Sequence, residues 1–381
     1  MKSEKSRVDM RTIAIGNNQA GQRLDKFLHK YFPLAPMGFL YKMLRKKNIT
    51  LNGKKASGAE LLAPEDTVAV FFSEHTLAKF SGRDKECGTE DASADSLVRT
   101  NIPLEDGGIA LSGDGAETRI KTGNLLTAAY MAAYNKLKGI TVVYEDEHFL
   151  FLNKPVGVLT QKAAKEDASL NEWMIGYLLA KDASLEKDLP TFRPSVCNRL
   201  DRNTSGIVLC GKSLPGLQFL NACIRERGVR KFYRTICVGE ITQSKRLEGW
   251  LVKDTVRNKV KIISDKAAAG EGAVLVQTAY TPIAISEGYT LLEVELFTGK
   301  SHQIRAQMAA IGHPLIGDTK YGREEINRRF REKHGLNYHL LHACCVKFPQ
   351  SRSQYGLGLG GKAFAAPCPE SFLELQKELA L

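Results

Sequence analysis

The sequence predicts an α+β protein made of two folded units separated by an irregular insertion. Three observations carry this reading. Residues 1–78 hold two short amphipathic helices followed by a hairpin signal. Residues 81–122 are rich in Gly, Ser, Asp and Glu and lose apolar periodicity. From Ile140 onward the chain alternates short apolar strands with turns. The expected organisation is an N-terminal domain of 1–78, a linker of 79–138 ending in a helix, and a larger domain of 139–381.

The bulk composition narrows the class. The chain has 381 residues, 43% hydrophobic and 25% charged, and no apolar run long enough to cross a bilayer. Met1 to Arg11 is charged and lacks an apolar core, so no secretory signal is read there and a cytoplasmic protein is expected. Eight cysteines occur without a single C-x-x-C pair, so neither a zinc site nor a disulfide framework is expected. The formal charge of +12 favours a polyanionic partner. It is unevenly placed: residues 1–80 carry 14 Lys or Arg against 7 Asp or Glu, whereas 81–138 carry 7 against 9.

In the N-terminal unit, Leu24, Phe27, Leu28 and Tyr31 follow the i, i+3, i+4, i+7 spacing of a helix over Gln22 to Phe32, ended by Pro33 and Pro36. A second helix carries Phe39, Leu40, Met43 and Leu44 on its apolar side, with Lys42, Arg45, Lys46 and Lys47 clustered on and just past it. Asn52-Gly53 marks a hairpin turn, and Thr67 to Phe72 a strand. One electropositive face results, which by itself fits either a solvated surface or a nucleic-acid grip. Past the insertion, Leu126, Tyr130, Ala133, Tyr134 and Leu137 predict a helix over Asn124 to Lys138, free to pack on either neighbour.

In the larger unit, Glu147 to Asn153, Ile207 to Cys210 and Leu291 to Phe297 read as strands. Asp201 lies in the loop before the second of these, between Arg199 and Arg202, whose charge would keep a carboxylate ionised. Thr298-Gly299-Lys300-Ser301 reads as a strand end, a sharp turn and a Ser301 N-cap. The following helix would place Lys300, His302 and Arg305 at its N-terminus, where Asp201 or a phosphate would be favoured. Arg230 to Gly239 interleaves basic and aromatic residues, a texture that suits base stacking and equally an ordinary strand edge.

The order of these segments carries a resemblance. Arg199-Leu200-Asp201 with Thr204-Ser205-Gly206, then Lys231 with Tyr233 and Gly239, then Thr298-Gly299-Lys300 with His302-Gln303-Ile304-Arg305, is similar to the signature of RluA-type RNA pseudouridine synthases. The run Gly21 to Leu28 with Ile49 to Lys54 looks like the αL RNA-binding domain shared with ribosomal small-subunit protein four. The resemblance implies a catalytic domain with a central mixed, mainly antiparallel sheet flanked by helices. It also implies an isomerisation of uridine in RNA, ribosomal or transfer, by a monomer that needs no cofactor, metal or membrane. By the same resemblance Asp201 acts on the flipped-out nucleotide, Tyr233 stacks on the uracil, and Arg305 pairs with the aspartate. Arg199, Lys300, His302 and Ile304 would surround the substrate, and Arg45 and Lys46 would grip RNA. Three positions depart from the family pattern: Asn198 and Gln161 stand where it has His, and Lys300 where it has Arg.

Two other readings compete. Gly356 to Gly361 superficially suggests a nucleotide or methyl-donor loop, hence an RNA methyltransferase, but no buried strand precedes it and Pro367 follows. A non-enzymatic RNA-binding protein on the same fold is the other, and the intact set Asp201, Tyr233 and Arg305 argues against it.

Overall fold

The computed structural model describes residues 8–81, 123–254, 259–350 and 357–381. The insertion from 82 to 122, with Cys87, lies outside them, as does Gly356. The chain divides into two compact units, Met1–Ala128 and Ala129–Leu381. Among the described residues no helix is long and apolar enough to cross a membrane.

The first unit runs β1 (Val8–Ala14), α1 (Leu24–Tyr31), α2 (Met37–Arg45), β2 (Ile49–Leu51), β3 (Lys54–Lys55), β4 (Thr67–Ser73) and α3 (Glu74–Ser81). Its strands form an antiparallel sheet in the order β1-β4-β2-β3. Strand β4 alternates buried and half-buried residues, so Val68, Val70 and Phe72 face Leu24, Phe27 and Leu28 of α1 and Leu40 and Leu44 of α2 in one core. Asn52 and Gly53 both take positive φ, 51° and 71°, which is the geometry of a tight hairpin joining β2 to β3. Asp25 is buried, and accepts from Arg23 and from the Tyr41 hydroxyl at 2.8 Å, tying α1 to α2. Strand β1 and helix α3 were not anticipated from the sequence; Phe80 of α3 packs on Phe39 with ring centroids 4.6 Å apart.

Helix α4 (Gly123–Lys136) contains the division between the units, and its part from Ala129 on belongs to the second. Tyr130 is buried in the second core, and Tyr134 lies 5.5 Å from Trp173 between ring centroids. The fit needs a glycine at 176, where a Cβ would stand 2.4 Å from the Tyr130 carbonyl.

The second unit continues with β5 (Thr141–Glu145), β6 (Phe149–Lys154), α5 (Leu170–Lys181), β7 (Ser195–Val196), β8 (Ser205–Gly211), α6 (Leu214–Arg225), β9 (Arg230–Val238), β10 (Lys245–Asp254) and β11 (Lys259–Ile263). It ends with α7 (Lys266–Ala269), β12 (Val274–Ser286), β13 (Tyr289–Leu296), α8 (Gln303–Ala310), α9 (Glu324–His334), β14 (Leu341–Lys347), β15 (Ala363–Ala365) and α10 (Glu370–Glu378). The sheet order is β11-β10-β12-β13-β9-β14-β8-β6-β5, with β15 on β14 and β7 on β8. Among the described residues only β14 and β8 pair in parallel, so the sheet is mixed and mainly antiparallel. Helices α5 and α6 pack on β6 and β8 through Trp173, Met174, Phe219 and Leu220.

This register positions the chemistry. Ala343 on β14 pairs with Gly206 on one side and Tyr233 on the other. The strand that follows the Asp201 loop and the strand that carries Tyr233 are therefore held two places apart, about 10 Å across the sheet. Strand β9 is an inner strand between β13 and β14, not the edge strand that its mixed texture also allowed. Residues 357–361 of the glycine-rich run lie in the loop before β15, and Leu359 among them is fully buried.

Candidate active site

The Asp201 loop joins β7 to β8, and its backbone is fixed from several sides. The Thr160 hydroxyl donates to the Leu200 carbonyl at 2.9 Å and accepts the Leu200 N–H at 3.1 Å. The fully buried Lys154 donates to the carbonyls of Pro155, Val158 and Arg202 at 3.0, 2.8 and 2.9 Å. Gly157 N–H donates to the same Arg202 carbonyl at 3.0 Å, and Thr204 N–H closes a turn onto the Asp201 carbonyl at 3.1 Å. Three bonds consume all three ammonium protons, so this geometry favours a charged Lys154. Burial opposes that and lowers its pKa to about 7, with the Asp201 charge pulling the other way.

Beyond the loop, Thr204 and Ser205 share hydrogen bonds of 2.9 Å with the buried His339 and His342. Burial pushes His339 down to about 4, helped by the neighbouring Arg305. Asn198, one of the departures from the family pattern, accepts the Leu209 N–H at 2.7 Å and so braces the loop against β8.

Arg305 comes from the first turn of α8. Its Nη1 donates to Asp201 at 3.2 Å, while Nε and Nη2 donate to Asp318 at 2.7 and 2.8 Å. The Asp201 side chain remains 26% exposed, against 5% for Arg305 and 0% for Asp318. Burial works against both charges of the inner pair, yet their mutual bonds raise Arg305 above and hold Asp318 below its usual value. His302 Nε2 stands 4.0 Å from Asp201, and its Nδ1 shares a 2.9 Å hydrogen bond with the Tyr321 hydroxyl. Burial lowers His302, and the Asp201 charge offsets part of this.

The start of α8 differs from expectation. Ser301 is exposed and is not the cap; His302 takes that position with φ 57° and caps with no side-chain bond. The Gln303 amide instead turns back, its oxygen accepting from Lys300 N–H at 3.1 Å and Thr298 Oγ1 at 2.9 Å. The Gln303 N–H, which a Ser301 cap could have served, donates instead to the Lys300 carbonyl at 3.1 Å, and the Ser301 side chain is left to solvent.

Tyr233 is buried, and its hydroxyl is pushed well above the usual range, chiefly by burial and then by the Asp201 charge. Ile304 is buried in the same apolar cluster. The structure thus gathers Asp201, Arg305, His302, Tyr233 and Ile304. It does not pair Arg199 or Arg202 with the aspartate, because both are exposed and the cation that meets Asp201 is Arg305. Lys300 is also exposed, without an ion pair among the described residues. Arg45 and Lys46 lie on the exposed end of α2 in the first unit.

The sequence reading missed Lys154, Thr160 and the turn Asp318–Gly322. In that turn Asp318 accepts from Lys320 and Tyr321 N–H groups at 2.9 and 3.1 Å, and Tyr321 stacks its ring under Arg305, 5.3 Å from the guanidinium. The signal was present: a glycine-bounded polar run straight after buried Leu315 and Ile316. Among the described residues no cluster of three His, Cys, Asp or Glu side chains is placed to hold a metal.

Comparison with known proteins agrees with this geometry. Residues 148–310 match the profile of a family described as RNA pseudouridylate synthase. A ribosomal large subunit pseudouridine synthase C of Vibrio vulnificus is 26% identical over 347 residues, covering 90% of this chain and 89% of the relative. A synthase of the same name from Escherichia coli is 26% identical over 358 residues, 91% of each chain. A ribosomal large subunit pseudouridine synthase D of Zymomonas mobilis reaches 32% over 188 residues, 49% of this chain and 57% of that one. Among solved structures, human RNA pseudouridylate synthase domain containing 4 has a TM-score of 0.50 at 19% identity, covering 68% of this chain and 97% of that one, and so shares the fold. The Asp201 loop and Arg305 both fall inside the matched segment, and along about nine-tenths of its length the chain is similar to RNA pseudouridine synthases.

Proposed function

We propose that this protein isomerises specific uridines of large-subunit ribosomal RNA to pseudouridine, with Asp201 as the catalytic residue. One observation carries the assignment. Asp201 is a partly exposed carboxylate on a braced loop, tethered by a single Arg305 bond and set beside buried Tyr233 and Ile304. The target nucleotide leaves its stack to enter such a site. Asp201 then attacks C1′ of the sugar and displaces N1, so the bond from C1′ to N1 breaks and the freed uracil anion turns. C5 next bonds to C1′ and displaces the Asp201 carboxylate; C5 loses its proton and N1 gains one, directly or through solvent, so no oxidant, reductant or cofactor enters the balance.

Tyr233 supplies a face for the uracil and Ile304 an apolar wall. His302 stands at the mouth, and Arg199 and Lys300 are exposed cations for the flanking phosphates. The first unit, with Arg45 and Lys46 on its surface, serves as an RNA-gripping domain. The relatives named as large-subunit synthases match along about nine-tenths of both chains, which supports ribosomal over transfer RNA. Pseudouridine mapping of total RNA, with the gene deleted and then restored, tests the proposal. Loss and return of discrete ribosomal sites is expected, and an unchanged map would refute it.

A further inference from the structure

Arg305 is shared by two carboxylates in unequal measure. Asp318 takes two parallel bonds at 2.7 and 2.8 Å, the planar fork geometry that guanidinium and carboxylate form best. Asp201 receives one bond at 3.2 Å. Asp318 is itself locked in a turn. Its carboxylate accepts from Lys320 and Tyr321 N–H groups, and Asn327 Nδ2 donates to its carbonyl at 2.9 Å. The inner ion pair therefore has one permitted arrangement, and its side chains are closed to solvent.

We propose that Asp318 is a positioning residue: it engages Nε and Nη2 of Arg305, aims Nη1 at Asp201, and absorbs the charge that would otherwise clamp Asp201 tightly. This rests on the reading of Asp201 as the catalytic residue. A lone Arg305 would turn its fork onto Asp201 and bind it bidentately, which holds the carboxylate as an anion but makes it a poorer nucleophile or base. With Asp318 in place, Asp201 is aligned yet free to leave its partner when the nucleotide arrives.

The other groups facing Asp201 do not replace this balance. Lys154 is committed to three backbone carbonyls, and Lys320 lies among the same charges with its pKa lowered by burial and by Arg305. His302 and His339 are both shifted down by burial, so they are neutral at neutral pH. Tyr233 and Tyr321 are shifted up by burial and are neutral too. Arg199 and Arg202 flank Asp201 in the chain but are exposed and make no ion pair with it among the described residues, which leaves Arg305, with Asp318 behind it, as the cation bonded to Asp201.

The test is the Asp318→Asn variant of the full chain, with kcat and KM for substrate RNA measured across pH. Expected is a kcat lower by about tenfold or more, a KM within about threefold, and an acid limb moved down by about one pH unit, because Arg305 now stabilises the Asp201 anion undivided. Asp318→Glu, which keeps the charge but displaces the fork, is expected to lower kcat while leaving the acid limb in place. An acid limb in Asp318→Asn that coincides with the unaltered protein overturns the proposal. If that variant does not fold, an undiminished kcat in Asp318→Glu overturns it instead. Asp201→Asn measured alongside separates the two ideas: turnover there defeats the catalytic assignment itself, whereas an unmoved acid limb defeats only the role of Asp318.

Discussion

Lys154 at the end of β6 donates to the carbonyl of Arg202 at 2.9 Å, so a buried ammonium holds the residue next to Asp201. The same group holds Val158 and Pro155, and it ties the strand end to the Asp201 loop. Lys154→Met would keep the packed volume but leave the Pro155 and Val158 carbonyls without the ammonium that serves them. A stability loss of about 2–4 kcal/mol is expected, read from denaturant midpoints, together with reduced turnover in the fraction that remains folded. A variant as stable as the parent would show that the three bonds contribute nothing net.

Gly206 marks the second constraint on the loop. Its φ is 114°, and an added Cβ would stand 2.2 Å from the Ala343 carbonyl, which is backbone and cannot step aside. Gly206→Ala must therefore push β8 from β14 in the parallel pairing that relates the Asp201 loop to Tyr233. Destabilisation of roughly 3 kcal/mol or more, seen as a lowered Tm, is expected.

Acid lability follows from His339. Its folded pKa is pushed to about 4 by burial, below the ordinary value near 6.5, so the unfolded chain binds the extra proton between these limits. Stability is then fully present above about pH 6.5 and falls as the pH drops toward 4, by up to about 3 kcal/mol from this residue. Replacing His339 with Gln, which can still bond to Thr204, should remove about one proton from the uptake on unfolding in that window. Unfolding free energies measured from pH 4 to 7 check the difference in slope.

Electrostatics of the first unit give a separate prediction. Arg45 and Lys46 are exposed beside Lys42 and Lys47 on the same end of α2. Changing both to Ala should weaken RNA affinity and flatten the dependence of log K on log salt by about one to two units, because fewer counterions are released. Filter binding over a salt series reads this directly, and an unchanged slope would remove the α2 face from the RNA interface.

How much of this was legible beforehand depends on the range of the interaction. The helices around Leu24 and Leu40, the Asn52-Gly53 hairpin and the strand ending at Phe72 are written in local periodicity, and they form as read. Strand β1 escaped notice because it lies at the sheet edge and exposes Met10 and Arg11, which erases the alternation. Asp201 and its partner Arg305, 104 residues further on, were both legible from the motifs, and the contact forms as the resemblance implies; the neighbours Arg199 and Arg202 are exposed and make no ion pair with Asp201 among the described residues. Asp318, and the bracing role of Lys154 at its strand end, were not legible because a buried charge has no periodic signature and shows its purpose only through its partners. The expected Ser301 cap failed for a local reason, since the Gln303 N–H already donates to the Lys300 carbonyl.

The central claim is that the Asp201 carboxylate performs the chemistry. Asp201→Asn keeps the side-chain size and an acceptor for Arg305, so the fold and RNA affinity should be retained. Ribosomal RNA from a deletion strain, incubated with the purified variant and mapped for pseudouridine, is expected to gain none, while the unaltered protein restores the sites. Pseudouridine formed by Asp201→Asn at the parent rate would contradict the account.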